Sequence, residues 1–316
     1  MSSTAFTLPS FAKINWSLTI LGKRADGYHE IRTVLQTISL HDNLQFATHE
    51  QPEIVFSCDD PQIPTSESNL VVQAASALRE HFKVQSGAAI RLEKRIPVEG
   101  GLGGGSSNAA ITLLGLAHLW KLPTNFAEFN QIAAELGADV PFFLYGGCAL
   151  ATGIGTTITC LRDPATRHLL VISPRAKVST ARAYLALGSS ALTTPNSNPI
   201  LAVSRGASKP DDSDQWSPGA DFANDFERVI FDIEPEIGRA KQALIQAGAR
   251  GALLAGSGSS VFGIFDSRQA QRRALEEIQA QSGWRVYSCD TLSRADYFRA
   301  LGSFGNTLLR SLNLEI

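Results

Sequence analysis

Cysteine is scarce in this 316-residue chain. Cys58, Cys148, Cys160 and Cys289 stand far apart, none in a Cys-x-x-Cys pair and none beside a histidine at metal-ligand spacing. A disulfide framework and a zinc site are therefore not expected, and the thiols read as reduced and mostly buried. Long hydrophobic runs are missing too. The longest apolar stretch, about Ala109 to Trp120, is too short to span a bilayer and carries His118. The start of the chain, Met1 to Pro9, has no basic segment followed by an apolar one, so nothing points to secretion and a cytoplasmic location is expected. Charge of one sign is also lacking. A formal net charge of −2 gives no reason to expect nucleic acid or an anionic membrane as a partner. No internal repeat of fixed period is present, which argues against solenoids and propellers. With 44% hydrophobic and 18% charged residues, the composition is that of a globular chain long enough for two domains.

What the chain has in abundance is glycine in one place. Gly100, Gly101, Gly103, Gly104 and Gly105 fill five of six positions, then run into Ser106-Ser107-Asn108 and an apolar helical pattern. Glycine admits positive φ and lets a ligand approach the main chain. A helix that starts directly after such a loop points free N–H groups and its positive dipole end at the loop, which suits phosphate. Ser106 and Ser107 could also contact a metal ion on the phosphates. Two common loop types are excluded. No lysine follows the glycines, as a Walker A loop needs, and Ser106 stands where a dinucleotide fingerprint needs its third glycine.

Period-two alternation predicts a half-buried strand over Phe11 to Leu21, a turn at Gly22 to Gly27, and a second extended run from Ile31 to Leu40. Leu44 to Phe46, Ile54 to Phe56 and Ala88 to Leu92 read as further short strands. Asn69 caps a predicted helix to about Phe82 with Leu70, Ala74, Ala77 and Leu78 inward. The helix after the glycine loop turns Ala110, Leu113, Leu114 and Ala117 to one side. Asn125 and Glu128 resemble a capping box for a helix ending at Gly137. Pro141 should hold Val140 extended and leave Asp139 in a turn, with strand and turn following over Phe142 to Ala151. From Leu169 the pattern becomes α+β: a strand to Ser173, a short helix opening at Ser179, helices near Asp225–Asp232 and Pro235–Ala247, and strands at Gly251–Leu254 and Val261–Phe265. A helix over Ser267–Gln281 and a strand over Trp284–Ser288 complete it. Residues 204–220 are polar and rich in breakers and read as a surface loop.

Several side chains in this frame can do chemistry. Lys13 and Asn15 share the polar face of the first strand. Asp139 lies in the turn Gly137-Ala-Asp-Val-Pro141. Taken singly, each has an ordinary reading, a surface charge or a turn residue. Together with cradled phosphates they supply what phosphoryl transfer needs: a carboxylate to accept a hydroxyl proton and a cation to stabilise developing charge. Tyr28 could stack on a base and His29 hydrogen-bond to one, or both could be turn residues. A second loop, Gly256-Ser-Gly-Ser-Ser260, lies between apolar strands and could be a plain hairpin connection.

The order of these motifs resembles the GHMP kinases, with their Pro-x-x-x-Gly-Leu-Gly-x-x-Ser-Ser loop (here Pro97 to Ser107) and a C-terminal Gly-Ser-Gly loop (here Gly256 to Ser260). Ala12-Lys-Ile-Asn15, Arg24-Ala-Asp-Gly-Tyr-His-Glu30, Gly101 to Ala110 and Gly137-Ala-Asp-Val-Pro-Phe-Phe143 resemble most the branch of that family that acts on a cytidine diphosphate-linked methylerythritol. The similarity runs from about Leu8 to about Gly302. The resemblance implies an α+β, two-domain fold: an N-terminal domain like ribosomal protein S5 domain 2 over 1–163, and a ferredoxin-like C-terminal domain over 164–316 carrying the polar insertion. It implies ATP and Mg2+ as cofactors, metal ligands unassigned, a small-molecule substrate phosphorylated on its tertiary hydroxyl, and a monomer or weak homodimer.

By the same resemblance Asp139 is the general base and Lys13 helps activate the hydroxyl. Asn15, Tyr28, His29 and Tyr184 bind substrate, with Tyr184 on the far face of the cytosine. Asn69, Lys94, Pro97, Val98, Glu99, Gly100, Gly101, Leu102, Gly103, Gly104, Gly105, Ser106, Ser107 and Asn108 bind ATP. Three features depart from the family. Leu35 stands where some members place a Phe near the cytidine. Glu99 adds a carboxylate beside the phosphate loop, expected to point outward or toward a metal. The segment 204–220 and the tail 303–316 are longer than the family needs. The rival readings are a GHMP kinase for another small alcohol, such as mevalonate, homoserine or a sugar, and, from another class, a ligand sensor that has lost chemistry. Tyr28, His29 and Tyr184 favour a pyrimidine over the first. The intact loop, Lys13 and Asp139 oppose the second.

Overall fold

The computed structural model of the chain describes residues 5–123, 125–188 and 222–305. Two long strands set the frame. β1 (Ala5–Lys23) and β2 (His29–His49) pair antiparallel over nearly their whole length. The pattern predicts two pieces in β2, Ile31–Leu40 and Leu44–Phe46, but the strand is continuous. Its second half is held on the other edge by β4 (Gly87–Glu93) and its first half by β5 (Cys148–Gly153), so neither half ends where the apolar run pauses. β3 (Ile54–Cys58) joins β4 in parallel, and β6 (Thr157–Cys160), which the pattern does not predict, closes the sheet beyond β5.

Helices α1 (Leu70–His81), α2 (Gly104–Leu119) and α3 (Phe126–Leu136) pack with this sheet around the largest core. Asn69 caps α1 as expected, yet the buried face is Val71, Ala74, Ala75 and Leu78, rotated from the predicted Leu70 and Ala77. The expected one-sided α2 is instead buried all round from Ser107 to Ala117, because it packs against β1, β2, α1 and α3 at once. At α3 the Asn125 side chain caps Ala127 N and donates to Glu128 Oε1 at 2.9 Å, so the two side chains pair with each other. Val140 lies in a turn. Pro141, at φ −54° and ψ −40°, starts the short helix α4 (Phe142–Tyr145), which suits a proline at a helix entrance.

The second lobe is a four-stranded antiparallel sheet in the order β10-β7-β9-β8, formed by β7 (His168–Ser173), β8 (Gly251–Leu254), β9 (Val261–Phe265) and β10 (Arg285–Asp290). α5 (Thr180–Leu187), α6 (Glu227–Ile233), α7 (Pro235–Gln246) and α8 (Arg268–Ser282) complete the ferredoxin-like unit. The predicted polar loop 204–220 and the tail from 306 lie outside the described residues.

The two sheets meet in a shared core. Ile14, Trp16, Val34 and Ile38 of the first pack with Leu169, Val171, Phe262 and Ile264 of the second. A further helix, α9 (Arg294–Ala300), which the pattern does not predict, returns to the first lobe, where Tyr297, Phe298 and Leu301 join the main core. The first lobe therefore draws on chain from both sides of residue 163. The cleft between the lobes holds the site.

Candidate active site

The glycine loop lies on one wall of the cleft. Helix α2 starts after Gly103, whose φ of 71° is left-handed, and no side chain caps its first turn. Those N–H groups are left for a ligand. Gly101 also has positive φ, 72°, and a Cβ there would lie 1.9 Å from the Ala255 carbonyl oxygen of the second loop. The two loops are laced together: Ser259 N donates to Glu99 O and Ser260 N to Gly100 O, both at 3.1 Å. Lys13 N donates to Leu102 O at 2.9 Å, which ties β1 to the same loop. Ser106 lines the cavity but Ser107 does not. Ser107 is fully buried and accepts a hydrogen bond from Ser10 Oγ at 2.8 Å, so it anchors the helix from below. Glu99, at φ 57°, turns its exposed carboxylate outward to within 4.0 Å of Lys177 Nζ.

Two side chains predicted to meet the nucleotide already hold protein partners. Asn69 Oδ1 accepts from Val71 N and its Nδ2 donates to Pro64 O. Lys94 Nζ donates to Asp42 Oδ2 at 2.8 Å. Asp42, absent from the predicted site, is fully buried and accepts four hydrogen bonds, from Lys94 Nζ, Arg95 N, Ile96 N and Asn108 Nδ2. It fixes the chain just before the glycine loop to the helix just after it. In the sequence it stands in His41-Asp-Asn43, the gap between two predicted strands, where no pattern marks it.

Across the loop lies the pair that spacing alone could not join. Lys13 is 3% exposed, which removes the surface-charge reading, and its Nζ is 3.3 Å from Asp139 Oδ2. The same ammonium donates to Asn15 Oδ1 at 3.0 Å. The Asp139 side chain is 39% exposed and faces the cavity. A half-open carboxylate can take a proton from a bound hydroxyl, and a desolvated ammonium beside it stabilises negative charge more strongly than one in water.

In the same cavity Tyr28 stands 62% exposed on its turn. His29 stacks on Tyr184, ring centroids 4.6 Å apart and planes inclined by 24°. Tyr184 also meets Phe226 edge-on. Burial, aided by the charge of Asp139, pushes the Tyr184 hydroxyl up to about 12. A base on this face of Tyr184 must first displace His29, because a stacked pair leaves no gap for a third ring. Leu35 does not border the site. It is buried in the main core, opposite Asn15 on β2, so its identity does not shape a base pocket. All the other predicted substrate and phosphate groups except Ser107 line one cavity of about 1080 Å³.

Two family models match the chain: the GHMP kinases N terminal domain over residues 69–147 and the GHMP kinases C terminal over residues 212–282. A 4-diphosphocytidyl-2-C-methyl-D-erythritol kinase of Geobacter sp. (strain M21) is 40% identical over 281 residues, which is 89% of this chain and 97% of that protein. The chain belongs to the GHMP kinases. The kinase also superimposes on a crystal structure of 4-(cytidine 5'-diphospho)-2C-methyl-D-erythritol kinase with a TM-score of 0.73 and 33% identity, covering 90% of this chain and 99% of that one. A homoserine kinase from Cytophaga hutchinsonii shares the fold at a TM-score of 0.71, with 19% identity and coverage of 93% and 95%. Among the described residues of the kinase, no helix is long and apolar enough to cross a membrane. Among the same residues no three His, Cys, Asp or Glu side chains gather in a cluster.

Proposed function

We propose that this kinase transfers the γ-phosphoryl group of ATP to the tertiary hydroxyl of 4-diphosphocytidyl-2-C-methyl-D-erythritol, a step of the non-mevalonate isoprenoid pathway. The observation that carries the reading is a single cavity. The loop, the start of α2, the Lys13–Asp139 pair and Tyr28, His29 and Tyr184 all line it, which supports the reading. Relatives with this substrate in their names span nearly the whole chain.

In this mechanism the loop amides and Ser106 hold the triphosphate. Asn15 and the aromatic end orient the acceptor so that its hydroxyl faces the γ-phosphorus in line. Asp139 takes the hydroxyl proton as the oxygen attacks, and Lys13 stabilises the charge that develops. No covalent phospho-enzyme is required. A magnesium ion would neutralise charge on the phosphates. Ser106, the loop hydroxyl that lines the cavity, would help to hold it there.

The test is ATP consumption by the purified protein against a panel of small alcohols, with and without the cytidine diphosphate group. Turnover confined to the cytidylated acceptor is expected. Turnover of homoserine or mevalonate, with the cytidylated acceptor refused, would overturn the assignment.

A further inference from the structure

Beside Lys13 and Asp139 the Asn15 amide meets a hydroxyl at the cavity wall, that of Thr33, to which the proposed chemistry gives no role. Thr33, on β2, is 3% exposed, and its hydroxyl carries one proton. The Ser17 carbonyl oxygen, 2.6 Å away, can only accept, so Thr33 donates to it. The same hydroxyl oxygen then accepts from the Asn15 amide at 2.8 Å. That contact forces Asn15 Nδ2 toward Thr33 and Oδ1 toward Lys13. The opposite end demands the same orientation independently. The Lys13 ammonium has no acceptor, and it stands 3.0 Å from Oδ1. A flipped amide would set N–H groups against the ammonium and leave the Thr33 oxygen facing an acceptor. Asn15 and Lys13 are 2% and 3% exposed, so little water is at hand to repair the loss. The β1–β2 register shifts between Asn15 and Ser17, and such bulges often re-aim side chains beside active sites.

We infer that Thr33 is a positioning residue of the phosphotransfer site. Its hydroxyl locks the Asn15 amide, and the locked Oδ1 holds the Lys13 ammonium against Asp139. The inference rests on reading Lys13 and Asp139 as the reacting pair.

The experiment removes the hydroxyl at nearly constant size with Thr33→Val, keeps it with Thr33→Ser, and repeats Thr33→Val in an Asn15→Ala background. The readout is kcat on whichever acceptor of the panel the wild-type protein phosphorylates. A refusal of the cytidylated acceptor therefore counts against the proposed substrate alone. Thr33→Val is expected to lower kcat about tenfold, with the KM for ATP changed by less than about twofold. Thr33→Ser should stay within about twofold of wild type. In the Asn15→Ala background the valine should cost less than about twofold, since the amide it would release is gone. An equal loss in both backgrounds, or no loss in the first, would overturn the lock. A Thr33→Ser enzyme about tenfold slower would also overturn it, by showing that packing of the methyl group is what matters, and this variant decides the question even if the valine protein fails to fold. A wild-type protein that phosphorylates nothing in the panel overturns both readings.

Discussion

Gly101→Ala tests whether the glycine loop works as a free cradle or as half of a laced pair. A Cβ on Gly101 would sit 1.9 Å from the Ala255 oxygen, 2.8 Å from the Ala255 carbonyl carbon and 3.0 Å from the Gly258 oxygen. All three are backbone atoms, so no rotamer change relieves the clash. Moving the nearest oxygen out to about 3 Å requires a shift of roughly 1 Å between the loops, and a displacement of that size at a reacting centre costs on the order of a hundredfold in rate. The shift also pulls on Ser259 N–Glu99 O and Ser260 N–Gly100 O. The left-handed φ of 72° adds about 1–2 kcal/mol for any residue with a Cβ. Overpacking adds about 1–3 kcal/mol more, so the melting temperature should fall by roughly 5 °C. The assay is steady-state kinetics with a thermal melt on the same preparation. Gly238→Ala is the control. It lies in α7, where an added Cβ meets Phe231 at an ordinary 3.5 Å. It should leave kcat alone and gain about 0.5–1 kcal/mol of stability. A Gly101→Ala enzyme with wild-type kcat and melting temperature would refute the view that the second loop sets the position of the first.

Asp139→Asn removes the proton acceptor but keeps the shape. It should lower kcat by about 10²–10⁴ and change the ATP KM by less than about twofold, and near-normal turnover would remove Asp139 as the base. Tyr28→Ala takes away an exposed aromatic on the turn before β2. The KM for the cytidylated acceptor should rise about tenfold while that for ATP holds, and an equal small change in both would favour a different acceptor. Burial lifts the Cys148 thiol to about 12 and the Cys289 thiol higher still, both within the packed interior. Neither should react with a disulfide reagent at pH 8 until the protein unfolds, and labelling of either in native protein would show that the core opens.

What the sequence makes readable is local. Helices α1, α5 and α8 start at Asn69, Ser179 and Ser267, one residue ahead of an apolar pattern, and each of these side chains accepts a backbone hydrogen bond. The glycine loop announces itself by composition. Where tertiary contacts decide, the pattern misleads. α2 offers a four-residue stripe but is enclosed on every side. α4 and α9 are too short for a period to show. Ser107 belongs to the same serine pair as Ser106, and only the helix rotation sends one to the cavity and the other to Ser10. Asp42 and Thr33 are not legible in the sequence because their partners lie far along the chain: Asn108 for the first, Asn15 and Ser17 for the second.

The same distance in sequence explains why neither lobe holds the site alone. Gly256 comes so close that a Cβ there would be 3.2 Å from Lys13 Nζ, and Asn224 Nδ2 donates to the Gly256 carbonyl while a bridge ties Leu18 to Asn224. The lysine on β1 is thus roofed by a loop from the second sheet, and its low exposure is a property of the assembled pair. Support from behind has a similar origin. The Tyr297 hydroxyl donates to Phe143 O, and the Arg294 guanidinium donates to Tyr145 O, Gly146 O, Cys148 O and Leu161 O. Helix α9 therefore braces α4, whose Phe143 ring lies under Gly103, where a Cβ would meet it at 2.8 Å. A boundary at residue 163 describes the order of the chain. The phosphate loop, the Lys13–Asp139 pair and their supports form a unit that crosses it three times, at Gly256, at Asn224 and at α9, so separating the lobes would hydrate Lys13 and release the loop together.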